Sequence, residues 1–239
     1  MNIYKINNIG ELIRDNPYVG RGIVIGKSES GEYAVTAYFI MGRSANSRNR
    51  VFTKRGTDLY TEPYDASKVE DPSLIIYAAI RKTERGLIVT NGDQTDTIFD
   101  GLKNGLSFSD SLKSREFEPD APNLTPRISG YLTFMGDGFS YEMSILKSAD
   151  PLGTACNRYT FSYPSLPGLG HFIHTYVTDG NPIPTFQGEP ERVAIPDDID
   201  SFTNELWNNL NEDNKISLYV RYESLKSGEV TDRLINKNS

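Results

Sequence analysis

One segment of the 239-residue chain concentrates side chains that bind anions. No acidic residue lies between Glu32 and Asp58, although the whole chain carries a net charge of −7. Guanidinium groups bind phosphate oxygens in pairs, and serine and asparagine supply further donors. The segment predicts a site for a phosphorylated small molecule, with an exposed basic loop as the alternative. Its five cations are Arg43, Arg48, Arg50, Lys54 and Arg55.

Two further groups of residues have types and spacings suited to proton transfer. Tyr77 and Arg81 lie four apart in a predicted helix, where a neighbouring guanidinium would favour an ionised phenol. Glu116, Glu118 and Asp120 crowd one loop, where like charges favour a carboxyl group that acts as a base near neutrality. Ordinary packing of the first pair and solvent-exposed acids in the second group are the alternatives.

A fourth candidate is the predicted turn from a strand into a helix at Asn91–Gly92–Asp93. Free backbone N–H groups at a helix N-terminus favour an anion or a polar ligand edge. Capping by Asp93 and Thr95 is the structural alternative. His171 and His174 are three apart in a predicted strand and would face opposite sides, so no metal site is expected.

Composition excludes several classes of protein. A single cysteine, Cys156, forms no internal disulfide, and two histidines are too few for a Cys/His zinc site. The longest apolar runs, such as Leu74–Ile80, are far shorter than the about 20 residues of a membrane span. The polar N-terminus is unlike a signal peptide, so a cytoplasmic location is expected. The acidic remainder of the chain would repel a nucleic acid.

The elements that must position these residues follow from periodicity and turn residues. The first half predicts a hairpin of residues 20–26 and 33–41, a helix over 71–83, a strand over 87–90, and helices over 94–103 and 108–114. The second half predicts strands over 127–134, 139–148, 157–165, 171–178 and 216–225, with a helix over 199–211. Strands and helices cluster instead of alternating, which indicates an α+β fold of packed antiparallel sheets in one domain, 1–239.

In their order, several short motifs resemble the inosine monophosphate (IMP) cyclohydrolase family of the archaeal type, which has bacterial members. They span roughly residues 17 to 130. The motifs are Tyr18-Val19-Gly20-Arg21, Gly42-Arg43-Ser44, Asn49-Arg50, Ile76-Tyr77, Arg81, Asn91-Gly92, Thr95-Asp96-Thr97-Ile98, Phe117-Glu118 and Thr125-Pro126-Arg127-Ile128. The C-terminal part, with His174-Thr175-Tyr176 and Asp179-Gly180-Asn181-Pro182, looks like the bacterial branch.

The resemblance implies a four-layer αββα sandwich of antiparallel sheets, like that of N-terminal-nucleophile hydrolases. It implies that the enzyme closes 5-formamidoimidazole-4-carboxamide ribonucleotide to IMP, with loss of water, in purine biosynthesis. Arg50, Tyr77 and Glu118 would be catalytic, with Glu118 or Tyr77 moving the proton and Arg50 stabilising negative charge. The residues expected to hold phosphate, ribose and base are Arg21, Arg43, Asn91, Thr95, Asp96 and Arg127. No metal or cofactor is expected.

Two departures from the family limit what is carried over. The family commonly has histidine where this chain has Gln94, so that position receives no proton role. The stretch Met1–Pro17 precedes the first motif, and Met1-Asn2 offers no hydroxyl or thiol as a processed nucleophile. Two alternatives to the enzyme hypothesis are a purine-nucleotide-binding protein without catalysis and an amide hydrolase with Cys156 or a serine as nucleophile. The sequence leaves open whether the chain forms a homo-oligomer.

Overall fold

The computed structural model describes residues 2–69, 76–136 and 138–238. Within these ranges the chain forms five α-helices and thirteen β-strands. The helices are α1 (Ile9–Ile13), α2 (Ala45–Arg48), α3 (Gln94–Lys103), α4 (Phe108–Ser111) and α5 (Ile199–Asn209). The strands are β1 (Arg21–Lys27), β2 (Tyr33–Met41), β3 (Val51–Arg55), β4 (Asp58–Glu62), β5 (Tyr77–Lys82), β6 (Gly86–Thr90), β7 (Arg127–Met135), β8 (Gly138–Ser148), β9 (Cys156–Pro164), β10 (Leu169–His174), β11 (Glu191–Ala194), β12 (Lys215–Ser224) and β13 (Val230–Asn236).

The strands form two antiparallel sheets. The first has the order β11-β10-β1-β2-β12-β13, and the second runs from β3 to β9 in sequence order. The predicted hairpin is confirmed, since β1 pairs with β2 from Arg21 opposite Ile40 to Lys27 opposite Ala34. The α+β class with antiparallel sheets is therefore confirmed as well.

The two sheets pack face to face, and helices cover their outer faces. Ile23 and Tyr38 of the first sheet share one core cluster with Phe52 and Val89 of the second. Helices α1 and α5 pack on the other face of the first sheet, in a cluster that includes Phe202. A third cluster joins α3 and α4 to the outer face of the second sheet. This packing is compatible with the expected sandwich.

The helix predicted over residues 71–83 is wrong where the structure describes it. Residues 70–75 lie outside the described ranges, and Tyr77–Lys82 forms the strand β5 between β4 and β6. Both faces of this strand are buried, so its apolar residues form a continuous run without alternation. Such a run does not distinguish a strand from a helix by periodicity, and its alanines favour a helix.

A β-bulge in β5 separates the two residues that were expected to act together. Tyr77 pairs with Thr61, and Ile80 pairs with Leu59, so β5 has one more residue than β4 between these points. The extra residue reverses the alternation of side chains. Tyr77 and Ile80 both join the core between the sheets, whereas Arg81 forms an ion pair with Asp96 of α3 on the outer face.

Most other predicted elements are present with small shifts. Helix α3 has the predicted bounds, and α5 is two residues shorter than the predicted 199–211. The predicted strand 171–178 begins earlier and ends at His174. Besides β5, four strands were not predicted: β3, β4, β11 and β13. No helix of the described ranges is long and apolar enough to cross a membrane.

Replacing Gly86 with alanine is expected to destabilise the second sheet. A Cβ atom there would lie 1.8 Å from the backbone oxygen of Leu132 on the neighbouring strand, so the backbone must move. Overpacking of this kind costs about 1–3 kcal/mol, measurable as a lower urea midpoint. Gly138→Ala is the control, because its nearest contact would be the Met135 oxygen at 3.9 Å. Equal midpoints for the two variants would contradict the prediction.

Candidate active site

A cleft of about 250 Å³ opens where four parts of the chain meet. These parts are the start of β1, the connection from β2 to β3, the loop before β7, and the segment after β10. Most of the lining side chains are polar or charged. They are Tyr18, Arg21, Arg43, Ser44, Asn46, Ser47, Arg50, Glu118, Asp120, Asn123, Thr125, Tyr176 and Ile183.

Two buried guanidinium groups face this cleft. Arg21, at the start of β1, is 7% exposed, and Arg50, just before β3, is 6% exposed. The Nε atom of each has no hydrogen-bond partner. Within the described ranges neither guanidinium forms an ion pair with a carboxylate. Buried cations without a partner are costly, so the cleft suits an anionic or strongly accepting ligand.

Glu118 supplies a buried carboxyl group to the same cleft. It is 4% exposed, and its backbone N–H donates to the Thr125 carbonyl at 2.8 Å. Burial raises the pKa of Glu118 above its usual value of 4.5, against the lowering effects of Arg21 and Arg127. The like charge of Asp120 adds a smaller raising effect. Desolvation, more than the crowding of acids expected from the sequence, therefore makes Glu118 a candidate base.

The arginines and Glu118 are electrostatically coupled. Burial lowers the pKa of Arg21, but the negative charge of Glu118 and the nearby phenols outweigh it and leave that pKa raised. Burial and the charge of Arg21 lower the pKa of Arg50, while Tyr77 and Glu118 oppose them. Two guanidiniums and one carboxylate carry a net positive charge when all are ionised. The cluster can therefore stabilise negative charge that develops on a bound ligand.

Tyr77 lies beside this cluster but is not among the residues that line the cleft. It is 5% exposed, and its hydroxyl lies 2.9 Å from the hydroxyl of Tyr38 on β2. Its phenol is close enough to Arg21 and Arg50 to influence the pKa of both. The guanidinium groups near Tyr77 are thus Arg21 and Arg50, and not Arg81 as the helix prediction required.

Arg43 lies at the mouth of the cleft and is partly exposed. It forms an ion pair with Asp179 and donates to the Gly180 carbonyl at 2.8 Å. Its guanidinium also lies 5.2 Å from the centre of the Tyr18 ring. Ser44 and Ser47 cap the short helix α2 reciprocally, at 2.9 and 3.1 Å between backbone N–H and side-chain oxygen. The mouth therefore presents a cation next to hydroxyl groups, as a phosphate site requires.

Aromatic rings form one wall of the cleft. Tyr18 and Tyr176 stack with ring centres 5.6 Å apart. The Tyr176 hydroxyl lies 2.5 Å from the Thr125 hydroxyl, which also lies 2.5 Å from the Asp120 carboxylate. This chain of hydrogen bonds joins the segment after β10 to the loop before β7, and so holds two sides of the cleft together.

The other cations of the acid-free segment point elsewhere. Arg48 donates to the Gly42 carbonyl at 3.1 Å and to the Asn214 side chain at 2.9 Å. Lys54 pairs with Asp232, and Arg55 pairs with Glu62. Of the five cations, Arg43 and Arg50 alone line the cleft among the described residues. The predicted anion site is thus smaller than the basic segment that indicated it.

The remaining residues expected to bind substrate lie outside the cleft lining. Asn91 donates to the Pro126 carbonyl at 2.9 Å, and the Thr95 hydroxyl lies 2.6 Å from the Thr90 hydroxyl. Asp96 is exposed and pairs with Arg81 at 2.5 Å. Their contact with a substrate stays a prediction.

Arg127 also lies outside the cleft lining, and it binds side chains at the start of α3. It donates to Asp93 at 2.7 Å and to Gln94 at 2.9 Å. Asp93 makes no side-chain capping bond and instead pairs with Arg115 and Arg127. The N-terminus of α3 is therefore occupied by an internal ion-pair network. Arg127 contributes to the site through its lowering effect on the pKa of Glu118.

Comparison with known proteins identifies the family. The sequence profile described as "IMP cyclohydrolase-like protein" matches residues 18–228, which is most of the chain. The chain belongs to the IMP cyclohydrolase-like family. All four parts of the chain that form the cleft of this family member lie within the matched residues.

Curated relatives align with about half of this IMP cyclohydrolase-like chain. It is 34% identical to the IMP cyclohydrolase of Methanopyrus kandleri over 116 residues, which are 47% of this chain and 57% of the relative. It is 35% identical to the IMP cyclohydrolase of Methanothrix thermoacetophila over 120 residues, 48% of this chain and 58% of the relative. The chain thus spans little more than half the length of the curated relatives it matches.

The structure of this IMP cyclohydrolase-like protein brings no metal site together in the described ranges. His171 lies 2.6 Å from the Tyr141 hydroxyl, and burial lowers its pKa to about 4. His174 stacks on Phe172 and belongs to the opposite face of β10. Cys156 lies at the start of β9, outside the cleft lining, and burial raises the pKa of its thiol.

Sequence reasoning missed several residues of the IMP cyclohydrolase-like site. Tyr176 was predicted to lie in the strand 171–178, and Ile183 follows the motif that ends at Pro182; neither was assigned to the site. Tyr18 and Thr125 belong to the family motifs, and that membership could have indicated that they lie in the site. Tyr38 lies inside an ordinary apolar strand, and no local pattern distinguishes it from a core residue.

Proposed function

We propose that this protein is an IMP cyclohydrolase of purine biosynthesis. It would close 5-formamidoimidazole-4-carboxamide ribonucleotide to IMP with release of one water molecule. The observation that carries the proposal is the pair of buried guanidiniums, Arg21 and Arg50, in one cleft with the buried carboxyl of Glu118; the Nε atoms of both arginines lack hydrogen-bond partners among the described residues. Membership in the family and the names of the archaeal relatives support it.

The proposed reaction needs acid and base groups and a stabilised oxyanion. The carboxamide nitrogen attacks the formyl carbon and gives up a proton, and the formyl oxygen becomes a hydroxyl group. Loss of that hydroxyl as water, with the proton of the formamido nitrogen, forms the ring C=N bond, and the attacking nitrogen keeps its second proton. Glu118 would accept and return protons, because its raised pKa brings it nearer to the working pH. Arg21 and Arg50 would stabilise the negative charge that develops on the formyl oxygen.

The proposed orientation of the substrate follows from the charges along the cleft. The buried groups Glu118, Arg21 and Arg50 would surround the reacting atoms, since desolvated charges interact most strongly. Arg43 and the hydroxyl groups of Ser44 and Ser47, which are partly exposed at the mouth, would bind the phosphate. Tyr18 and Tyr176 would contact the flat imidazole and purine rings.

Replacing Arg43 with glutamine is expected to raise KM about tenfold and leave kcat nearly unchanged. A phosphate contact is equally strong in the ground state and the transition state, so its loss weakens binding without slowing the chemistry. Arg48→Gln is the matched control, because Arg48 bonds to Asn214 and Gly42 and does not line the cleft. Steady-state kinetics of both variants provide the measurement. A lowered kcat for Arg43→Gln would place that residue among the reacting groups instead.

The function itself is tested with the purified full chain and the formamido nucleotide. Ring closure changes the ultraviolet absorbance, and chromatography with mass spectrometry identifies IMP as the product. The proposal predicts equal rates with and without a metal chelator. Binding of IMP without any turnover, even at high enzyme concentration, would overturn the proposal in favour of a nucleotide-binding protein.

The amide-hydrolase alternative is disfavoured by the position of its best nucleophile. Cys156 is not among the residues that line the cleft, and its raised thiol pKa leaves little thiolate at neutral pH. The layers of two sheets with helices outside support a fold of the N-terminal-nucleophile hydrolase type as part of the proposal. One domain over 1–239, a cytoplasmic location and assembly into a homo-oligomer remain predictions, and light scattering would test the last.

A further inference from the structure

Two buried tyrosine hydroxyls form a pair next to the proposed catalytic group. Tyr38 is 0% exposed and Tyr77 is 5% exposed, and their hydroxyl oxygens lie 2.9 Å apart. The Tyr38 ring stacks on Phe52 with centres 5.4 Å apart, so its position is set by core packing. The sequence motifs include Tyr77 but assign nothing to Tyr38.

Burial determines which hydroxyl donates in this pair. Tyr77 is the only hydrogen-bond partner of the Tyr38 hydroxyl among the described residues. If Tyr77 donated, the proton of Tyr38 would be buried without an acceptor, which carries a desolvation penalty. If Tyr38 donates instead, the unbonded proton is that of Tyr77, the more exposed of the two residues, whose phenol lies near Arg21 and Arg50. The second arrangement is therefore favoured.

The surroundings of the pair keep Tyr38 in its protonated form. Burial, followed by the neighbouring Tyr77, raises the pKa of Tyr38 well above its usual value of 10.0. Tyr38 thus stays protonated and remains a donor. A hydrogen bond to an ionised acceptor is stronger than one to a neutral acceptor, so the bond from Tyr38 strengthens when Tyr77 gives up its proton.

We propose that Tyr38 is a positioning residue that donates to the Tyr77 hydroxyl, orients the proton of Tyr77 away from the core and stabilises Tyr77 when that proton is transferred. This inference rests on the proposed function and on the role in proton transfer that the family resemblance implies for Tyr77. Tyr38 is not among the residues that line the cleft, and its hydrogen bond is to Tyr77, so its proposed effect on the reaction is exerted through that bond.

The test is a double-mutant cycle of Tyr38→Phe, Tyr77→Phe and the double variant. Phenylalanine keeps the ring and its stacking on Phe52, so the fold is retained and removal of the hydroxyl is the main change. Tyr38→Phe is expected to lower kcat about 10- to 100-fold, the value of a hydrogen bond to a charged group, with KM unchanged. In a Tyr77→Phe background the same replacement is expected to have no further effect on kcat.

The possible outcomes distinguish a failure of this inference from a failure of the proposed function. Additive losses in the double variant, or a Tyr38→Phe enzyme as fast as the wild type, would overturn the role of Tyr38 while the cyclohydrolase activity stands. No turnover by the wild-type chain would overturn the proposed function first. A general loss of folding is excluded by urea unfolding of the same variants. Tyr222→Phe, which removes the buried hydroxyl bonded to the Pro196 carbonyl, is the matched control for losing one hydrogen bond.

Discussion

Replacing Glu118 with glutamine is expected to lower the turnover of the formamido nucleotide about 10²- to 10⁴-fold, the usual contribution of a general acid–base group. Glutamine has nearly the same shape and remains a hydrogen-bonding group, but it does not accept a proton from the attacking nitrogen. Glu118 is buried in the cleft with Arg21 and Arg50, whereas the other carboxyl that lines the cleft, that of Asp120, accepts hydrogen bonds from Thr125. Single-turnover rates measure the chemical step directly.

Titration of Glu118 is expected to set how the activity falls on the acid side of its pH profile. A base must be ionised, so activity falls as the pH decreases through its pKa. Because burial raises the pKa of Glu118, kcat/KM is expected to decline at a higher pH than an ordinary glutamate, near 4.5, would produce. The Glu118→Gln variant should have lost this acid limb along with most of its activity.

Glu116→Gln is the matched control for this prediction. Glu116 is exposed, two residues from Glu118, and its carboxylate lies 3.7 Å from Arg158. It should keep the wild-type rate and the wild-type pH profile. Should Glu118→Gln also retain the wild-type rate, the proposed base would have to be another group, and the assignment of Glu118 would fail.

Replacing Tyr77 with phenylalanine is the second change with a large expected effect, a loss of about 10²- to 10⁴-fold in kcat. The variant keeps the ring in the core between the sheets and removes the hydroxyl near Arg21 and Arg50. KM should change little, because the ring does not line the cleft. Pre-steady-state kinetics distinguish a slower chemical step from slower product release.

A loss of stability would be the competing explanation for the Tyr77 variant. The hydroxyl pair with Tyr38 is buried, so its loss is expected to cost about 1 kcal/mol of folding free energy. That loss is too small to unfold a domain of ordinary stability at room temperature. Unaltered near-ultraviolet circular dichroism together with a near-wild-type rate would show that Tyr77 is structural and not part of the reaction.

Local pattern predicted the fold well where elements are regular. Helix α3 and the hairpin of β1 and β2 were found because turn residues and branched residues act within a few positions. Strand β5 was not found, since its apolar run is compatible with either structure until its neighbours are known. The strands β3 and β4 were missed because the polar composition of the segment suggested a loop.

The site residues, like the strands and helices, were predicted in part. Residue type and motif order pointed to Arg50, Glu118, Arg21 and Arg43, and the structure places all four in one cleft. The dispersal of the other basic residues could not be foreseen, because each finds its partner on a distant strand or loop. The partner of Lys54, for example, is Asp232 on β13.

Composition and motif order pointed to the family and to a reaction carried out by arginine, tyrosine and glutamate, because these residue types and their order can be read along the chain. Which of these groups meet depends on the packing of the two sheets. A single extra residue in β5 turns Tyr77 toward Tyr38 and Arg81 toward Asp96. Strand register and burial depend on contacts between distant residues, and local periodicity carries no information about them.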